Sequence, residues 1–198
     1  MSKKQINNSK KYSEVESSIQ NQLEQLGVKE KIDSSELLQL KNVLKDINNL
    51  LTYKLTISAA KWLIEEFNLQ NYSEKIFENI NLTSINSNGF DIRIEFDKVK
   101  ILGEIKCNVP INGGNLFGSN QAQGIINDIK KLNAANKKSK DISVNEYYKF
   151  LFLADENNVK KAVQNTNFKS RLNKYGATLE YSSAARIKDM VYVIYLAV

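Results

Sequence analysis

Histidine is absent from the 198-residue chain, and cysteine and proline each occur once. Without histidine the chain cannot form a Ser-His-Asp or Cys-His nucleophile, a histidine-ligated zinc site or a nuclease centre with a histidine base. The single Cys107 excludes an internal disulfide and a thiolate zinc site, and it is typical of a reducing cytosol, which is the expected location. Any catalysis must therefore use carboxylates, lysines, hydroxyls or tyrosines.

Long apolar runs are also missing. None reaches the roughly 18 residues that a membrane-spanning helix needs, so no membrane partner is expected. Hydrophobic residues make up 42% of the chain, which is enough for the core of one domain with a helical extension. The formal net charge of +6 suits a polyanionic partner such as nucleic acid.

Apolar and polar residues alternate between Gly89 and Lys106, on both sides of Asp97 and Lys98. This period of two predicts a β-hairpin with a two-residue turn at 97–98. The predicted cross-strand pairs are Phe96–Val99, Glu95–Lys100, Ile94–Ile101, Arg93–Leu102, Ile92–Gly103 and Asp91–Glu104.

Two carboxylates face each other at the open end of this predicted hairpin. Asp91 is opposite Glu104, and Lys106 points to the same face because it follows Glu104 by two residues. Opposed side chains have Cβ atoms about 4.5–5.5 Å apart, and carboxylates so placed repel each other unless a cation lies between them. The three residues predict a Mg²⁺ site with a cationic neighbour. The alternative is a solvated hairpin face with both carboxylates at its edge.

Outside the hairpin, the sequence predicts helices before residue 89 and both helices and strands after residue 106. Capping boxes predict helix starts at Ser13-x-x-Glu16 and Asp33-x-x-Glu36, and Gly27 predicts the end of the first helix. An apolar seam at spacings of three and four is typical of a core-facing helix or of a dimer contact; it consists of Leu37, Leu40, Leu44, Ile47 and Leu51. Further helices are predicted at 58–67, from 71, at 121–132 and, interrupted, at 157–173. Strands are predicted at 147–154, 177–181 and 189–198, the last one central, so the fold is expected to be α/β with a mixed sheet of four or five strands.

Aspartate, twelve intervening residues and then Glu-x-Lys, on a hairpin followed by a helix, resembles the PD-(D/E)XK nuclease superfamily over about residues 58–154. The motif residues are Asp91, Glu104 and Lys106, and Phe90 stands where the superfamily usually has proline. The resemblance implies a restriction-endonuclease-like core at 58–198, with helices flanking the sheet. It would follow a flexible basic tail at 1–11 and a helical region at 12–57.

The chemistry of a phosphodiester accounts for these residue types. Asp91 and Glu104 would hold Mg²⁺, which neutralises phosphate oxygens and lowers the pKa of a bound water; Mn²⁺ is expected to substitute. Lys106 would orient or deprotonate that water and offset charge in the transition state. The resemblance adds the backbone carbonyl of Ile105 as a metal ligand. It also implies a carboxylate from the helix before the hairpin, and Glu74 and Glu78 are the candidates.

Amide side chains are frequent in the loop at 108–120 and in the helix after it. The loop holds three of the eight glycines and the only proline. Asparagine and glutamine can bind adenine in the major groove, although asparagine and glycine also simply form turns. Lysines farther along contact phosphates or belong to a solvated face. The candidate DNA-binding residues are Asn112, Asn115, Asn120, Gln121, Gln123, Lys130 and Lys131.

Together these features predict a Mg²⁺-dependent endonuclease of double-stranded DNA, most similar to a sequence-specific type II restriction enzyme. The resemblance implies a homodimer, since two active sites cut both strands, and the apolar seam is a candidate contact. Two alternatives remain. One is a structure-specific repair or phage nuclease, and the other is a non-catalytic DNA-binding subunit with the same fold.

Overall fold

The computed structural model describes residues 3–28, 33–82, 89–96, 98–110, 114–134 and 142–197. The helices are α1 (Lys3–Gln25), α2 (Ser34–Glu66), α3 (Ser73–Leu82), α4 (Ser119–Ala134), α5 (Asn157–Gln164) and α6 (Thr166–Lys174). The strands are β1 (Ile92–Phe96), β2 (Val99–Lys106), β3 (Tyr148–Ala154), β4 (Ala177–Thr178) and β5 (Val191–Leu196). The architecture is α/β, with a helical N-terminal region before a mixed sheet flanked by helices. None of the helices within the described ranges combines the length and apolarity needed to cross a membrane.

The chain forms two compact units, Met1–Asp46 and Ile47–Val198. The division falls inside α2, ahead of the boundary at residue 57 that the sequence predicts. The helix α1 begins at Lys3, within the segment for which the sequence predicts a flexible tail.

The start of α1 differs from the capping-box prediction. Ser13 lies inside the helix, where its carbonyl accepts a hydrogen bond of 2.9 Å from Ser17 Oγ. The helix extends to earlier residues because no glycine or proline precedes Gly27 to stop it. Gly27 ends the helix as predicted, with a φ of +90° and a 2.9 Å hydrogen bond from Val28 N–H to the Leu23 carbonyl.

The second capping box is confirmed. Asp33 Oδ1 accepts from the N–H groups of Ser35 and Glu36 at 2.7 and 2.9 Å, and Glu36 Oε2 accepts from Asp33 N–H at 2.7 Å. The sequence predicts two helices between this point and residue 67, but α2 is continuous to Glu66. It continues because neither glycine nor proline occurs between 33 and 67.

The five strands have the order β1-β2-β3-β5-β4. Only β1 and β2 are antiparallel, and all other neighbours are parallel, so the predicted mixed sheet is confirmed. The last strand, β5, lies between β3 and β4, in agreement with its nearly continuous apolar sequence. Five of the six predicted hairpin pairs are observed: Phe96–Val99, Glu95–Lys100, Ile94–Ile101, Arg93–Leu102 and Ile92–Gly103. The sixth predicted pair, Asp91–Glu104, is not a strand pair, because β1 begins at Ile92 and the Asp91 side chain accepts a hydrogen bond from Ile105 N–H instead.

The second half of α2 and the whole of α4 pack on opposite faces of the sheet. On the α2 side the core includes Leu63 and Ile101, and on the α4 side it includes Leu102. Successive strand residues point to opposite faces. Glu104 and Lys106 therefore lie on the same face as Leu102, towards α4.

Gly103 on β2 lies between side chains of β1 and β3 that leave no room for a Cβ atom. A Cβ atom at this position would lie 3.1 Å from Ile92 Cβ and 3.2 Å from Phe152 Cε2. We expect Gly103→Ala to destabilise the fold by about 1–3 kcal/mol, the usual cost of overpacking, in urea unfolding. Gly124→Ala on α4 is the matched control, because a Cβ there meets nothing within 4 Å and alanine favours a helix by up to about 1 kcal/mol. Equal decreases in the free energy of unfolding of the two variants would contradict the close packing around Gly103.

Candidate active site

The three motif residues come together at the end of the hairpin away from its turn. Asp91 immediately precedes β1, while Glu104 and Lys106 lie in the last part of β2. All three line one cavity of about 660 Å³. The pairing of β1 with β2 thus brings the predicted side chains to one place.

Asp91 is held by the backbone of β2. Its Oδ2 accepts a hydrogen bond of 2.8 Å from Ile105 N–H. Because β1 begins at Ile92, this carboxylate takes the place of a ladder partner. The N–H and C=O of one strand residue point towards the same neighbouring strand. The carbonyl of Ile105 is therefore also directed to the side of Asp91, where the resemblance implies a metal ligand.

Glu104 is almost completely buried beneath α4. Its Oε1 lies 2.5 Å from Lys131 Nζ. Burial raises the pKa of Glu104 to about 8, the negative charge of Asp91 adds to the increase, and the pairing with Lys131 only partly opposes it. The site therefore favours a proton or a cation beside this carboxylate.

Lys106 makes a second ion pair with α4, in which its Nζ lies 2.9 Å from Asp128 Oδ2. Burial opposes the charge on Lys106, but Asp128, Asp91 and Glu104 outweigh burial and raise the lysine's pKa above its ordinary value. Lys106 is therefore an ammonium at neutral pH. Burial also raises the pKa of Asp128, against the lowering effect of Lys106. The two ion pairs join β2 to α4. In one pair the positive charge is on β2, at Lys106, and in the other it is on α4, at Lys131.

Asp128 is a site residue that the sequence patterns do not single out. It lies three positions before Lys131, so both side chains project from the same side of α4. One signal could have found it: Asp128 falls within the apolar stripe of Ile125, Ile129 and Leu132. A charged side chain in such a stripe is exceptional and calls for a buried partner.

Glu74 and Glu78, the candidates for an additional carboxylate, lie exposed on α3. Neither is among the residues that line the cavity, which include Asp128 from the helix after the hairpin. The buried residue of α3 is Ile76, two positions from each glutamate. Two positions correspond to a rotation of roughly 200° around a helix, so both glutamates lie on the side opposite the core contact.

Gln121 lines the cavity and also closes the loop before α4. Its Nε2 donates to the Val109 carbonyl at 2.8 Å, and its Oε1 accepts from Gly118 N–H at 3.0 Å. Its amide thus orders the backbone beside the site. Contact with DNA stays a prediction for this residue.

The other candidates for DNA contact have different surroundings. Lys131 is turned into the site, where it pairs with Glu104. Asn112 lies outside the described residues. The remaining candidates are exposed, and they are Asn115, Asn120, Gln123 and Lys130. Their exposure leaves them accessible to a nucleic acid, and the contact itself stays a prediction.

A polar wall of the cavity comes from α2, and no sequence pattern indicates it. It consists of Asn48, Asn49 and Thr52. Cys107 lines the cavity as well, and burial raises the pKa of its thiol, so that it is uncharged at neutral pH. Neutral hydrogen-bonding groups therefore accompany the carboxylates and lysines of the site.

The oxygen donors of the cavity fit a hard divalent cation held by few protein ligands. Asp91 lies close enough to Glu104 for its negative charge to raise the pKa of Glu104, and a bound cation would offset this repulsion. Mg²⁺ commonly binds one or two carboxylates and keeps several waters. Across the described part of the chain, no group of three or more His, Cys, Asp or Glu side chains is arranged to hold a metal. The oxygen donors that could hold such an ion are the carboxylates of Asp91 and Glu104 and the backbone carbonyl of Ile105.

Comparisons of the chain with protein-family models, with curated proteins and with solved structures find no match. The fold and the site are therefore the basis for assigning a function. They define an α/β protein with a cavity in which Asp91, Glu104 and Asp128 meet Lys106 and Lys131.

Proposed function

We propose that the protein is a Mg²⁺-dependent endonuclease that hydrolyses phosphodiester bonds of double-stranded DNA. The observation that carries the proposal is the convergence of Asp91, Glu104 and Lys106 in one cavity at the open end of the hairpin. The order of elements along the chain, an antiparallel hairpin followed by a helix and then a parallel strand, also agrees with a restriction-endonuclease-like core. Mn²⁺ is expected to replace Mg²⁺.

A phosphodiester is anionic and repels hydroxide, so its hydrolysis needs positive charge beside the phosphate and a positioned water. Asp91, Glu104 and the carbonyl of Ile105 would hold the metal ion. When bound, the ion neutralises phosphate charge and lowers the pKa of a coordinated water. The hydrogen bond from Ile105 N–H to Asp91 keeps the carboxylate beside the backbone that shares this task.

Lys106 supplies a second positive charge, and its ammonium state favours an electrostatic role over proton abstraction. The ammonium orients the attacking water. It also stabilises the charge on the phosphate oxygens while the new bond from water to phosphorus forms and the bond to the sugar oxygen breaks. Asp128 acts through Lys106 as a positioning residue, because the 2.9 Å ion pair holds the ammonium in the cavity.

Two features support the proposed partners. The formal charge of +6 favours association with DNA. On α2, Leu44 and Ile47 of the apolar seam are 50% and 43% exposed. A second copy of the chain would bury such side chains and bring a second active site, one for each DNA strand. We therefore propose a homodimer that recognises a DNA sequence, as type II restriction enzymes do.

Incubation of the purified protein with genomic DNA and Mg²⁺ or Mn²⁺ tests the proposal. Discrete fragments, abolished by EDTA, are the expected result, and sequencing of their ends gives the recognition sequence and the cut position. A continuous smear would favour a structure-specific nuclease. Binding of DNA without cleavage under either metal would refute the catalytic function and favour a DNA-binding subunit.

A further inference from the structure

Lys131 contacts a carboxylate oxygen of Glu104, one of the residues proposed to bind the metal ion. Its Nζ lies 2.5 Å from Glu104 Oε1 and 2.5 Å from the carbonyl oxygen of Gly89. The ammonium also lies 5.2 Å from the centre of the Phe90 ring. The side chains of Lys131 and Glu104 are only 17% and 4% exposed. This lysine is therefore held specifically in the interior, unlike a solvated lysine on a helix surface.

Lys131 pairs with Glu104 Oε1, a carboxylate oxygen that could otherwise bind a metal ion. Carboxylate oxygens are the protein ligands that Mg²⁺ prefers. A divalent ion bound to Glu104 would lie close to the ammonium, and two positive charges at such a distance repel each other strongly in a buried site. The ammonium and the metal ion therefore compete for the carboxylate.

The second lysine of the cavity is not in this position. Lys106 pairs with Asp128, which keeps its ammonium on a carboxylate outside the hairpin. Lys131, in contrast, pairs with a carboxylate of the hairpin itself. The two lysines thus have different partners, and only the partner of Lys131 belongs to the proposed metal ligands.

We propose that Lys131 is the internal counterion of the metal site: in the absence of a divalent ion it neutralises the ionised form of Glu104, and it leaves Glu104 when the ion binds. This proposal rests on the proposed metal-dependent function and adds a regulatory residue to it. In the metal-free state the ammonium prevents the repulsion between Glu104 and Asp91 from opening the site. The cost is a weaker affinity for the metal, because the ion must displace a charge that is already bound.

Lys131→Met tests the counterion role, since methionine removes the charge and retains an unbranched apolar side chain of similar length. Mn²⁺ affinity of the full-length variant, measured by calorimetry, is expected to increase roughly tenfold or more because the competing charge is gone. Its melting temperature in EDTA should fall, and Mn²⁺ should raise it by more than in the wild type. Lys130→Met is the matched control. The ammonium of Lys130 lies 4.6 Å over the Tyr175 ring, and its removal should leave the Mn²⁺ affinity unchanged.

Unchanged or weaker Mn²⁺ affinity in Lys131→Met would overturn the counterion role and make Lys131 a permanent structural partner. Absence of Mn²⁺ binding in both the variant and the wild type would overturn it as well. If the variant does not fold, Lys131→Arg provides the test with the opposite sign. A guanidinium can bind the carboxylate of Glu104 through two hydrogen bonds, so Mn²⁺ should bind more weakly, and unchanged affinity would refute the role.

The nuclease function can fail separately. A wild-type protein that cuts no DNA, together with tighter Mn²⁺ binding by Lys131→Met, would refute the nuclease and support the counterion. Cleavage by the wild type, with the same Mn²⁺ affinity in both proteins, would support the nuclease and overturn the counterion.

Discussion

Lys106→Met is expected to lower the rate of DNA cleavage about 100- to 1,000-fold, the loss typical of removing one preorganised donor from an active site. The variant loses the ammonium that orients water and stabilises the charge on the phosphate, while the apolar part of the side chain remains. Single-turnover cleavage of a plasmid measures the effect. The affinity for DNA should change little, because one charge among many contributes to it.

Two further variants separate catalysis from folding. Lys106→Met leaves Asp128 without its 2.9 Å partner, so the double variant Lys106→Met/Asp128→Asn removes both charges and should show the same loss of cleavage. Lys100→Met is the matched control, because Lys100 lies on the same strand and pairs with Glu146 outside the cavity. Cleavage at the wild-type rate by Lys106→Met would show that Lys106 has no part in the reaction.

Asp91→Asn is expected to reduce cleavage by roughly 1,000-fold, because one of two charged metal ligands is lost and several kcal/mol of transition-state stabilisation depend on the ion. The amide oxygen of asparagine can still accept the 2.8 Å hydrogen bond that Asp91 accepts from Ile105 N–H. The local backbone should therefore keep its conformation. Cleavage and Mn²⁺ affinity, measured on the same preparation, are expected to fall together.

The same substitution should stabilise the metal-free protein at high pH. Burial, and next the charge of Asp91, raise the pKa of Glu104 from 4.5 to about 8 in the folded state. Because the folded pKa is raised, the stability that protonated Glu104 contributes is complete below pH 4.5 and is lost as the pH rises through 8. Without the charge of Asp91 the pKa of Glu104 is expected to be lower. Above pH 8, each unit by which this pKa is lower restores about 1.4 kcal/mol to the free energy of unfolding.

Urea unfolding in EDTA measures this effect. The stability of Asp91→Asn relative to the wild type should be larger at pH 9 than at pH 4.5, where Glu104 is protonated in both proteins. A variant that is less stable than the wild type at pH 9 would show that repulsion between Asp91 and Glu104 does not destabilise the metal-free protein.

The hairpin could be predicted from the sequence because its determinants are close together in the chain. The alternation of apolar residues determines which face is buried, and the two-residue turn then determines the register. The observed pairs Ile94–Ile101 and Ile92–Gly103 follow from that turn. The position of Asp91, Glu104 and Lys106 on one side of the hairpin is a consequence of the same local pattern.

The contribution of α4 could not be predicted in the same way. Its apolar stripe shows which side of the helix is buried, but the stripe does not show which residues of β2 the helix meets. That alignment depends on packing against β2 and β3. It decides that Asp128 meets Lys106 and that Lys131 meets Glu104. For the same reason the sequence places the additional carboxylate on α3, whereas Asp128 on α4 lines the cavity.

The amino-acid sequence by itself determined the α/β class, the hairpin register and the grouping of Asp91, Glu104 and Lys106, because strand alternation and turns act over a few residues. Only the tertiary structure decided the electrostatics of the site. Burial raises the pKa of Glu104, and α4 supplies a partner for each of the two charged residues of β2 that line the cavity, Glu104 and Lys106. Burial and ion pairing depend on elements that are distant in the chain, and these elements meet only when the helix packs on the sheet.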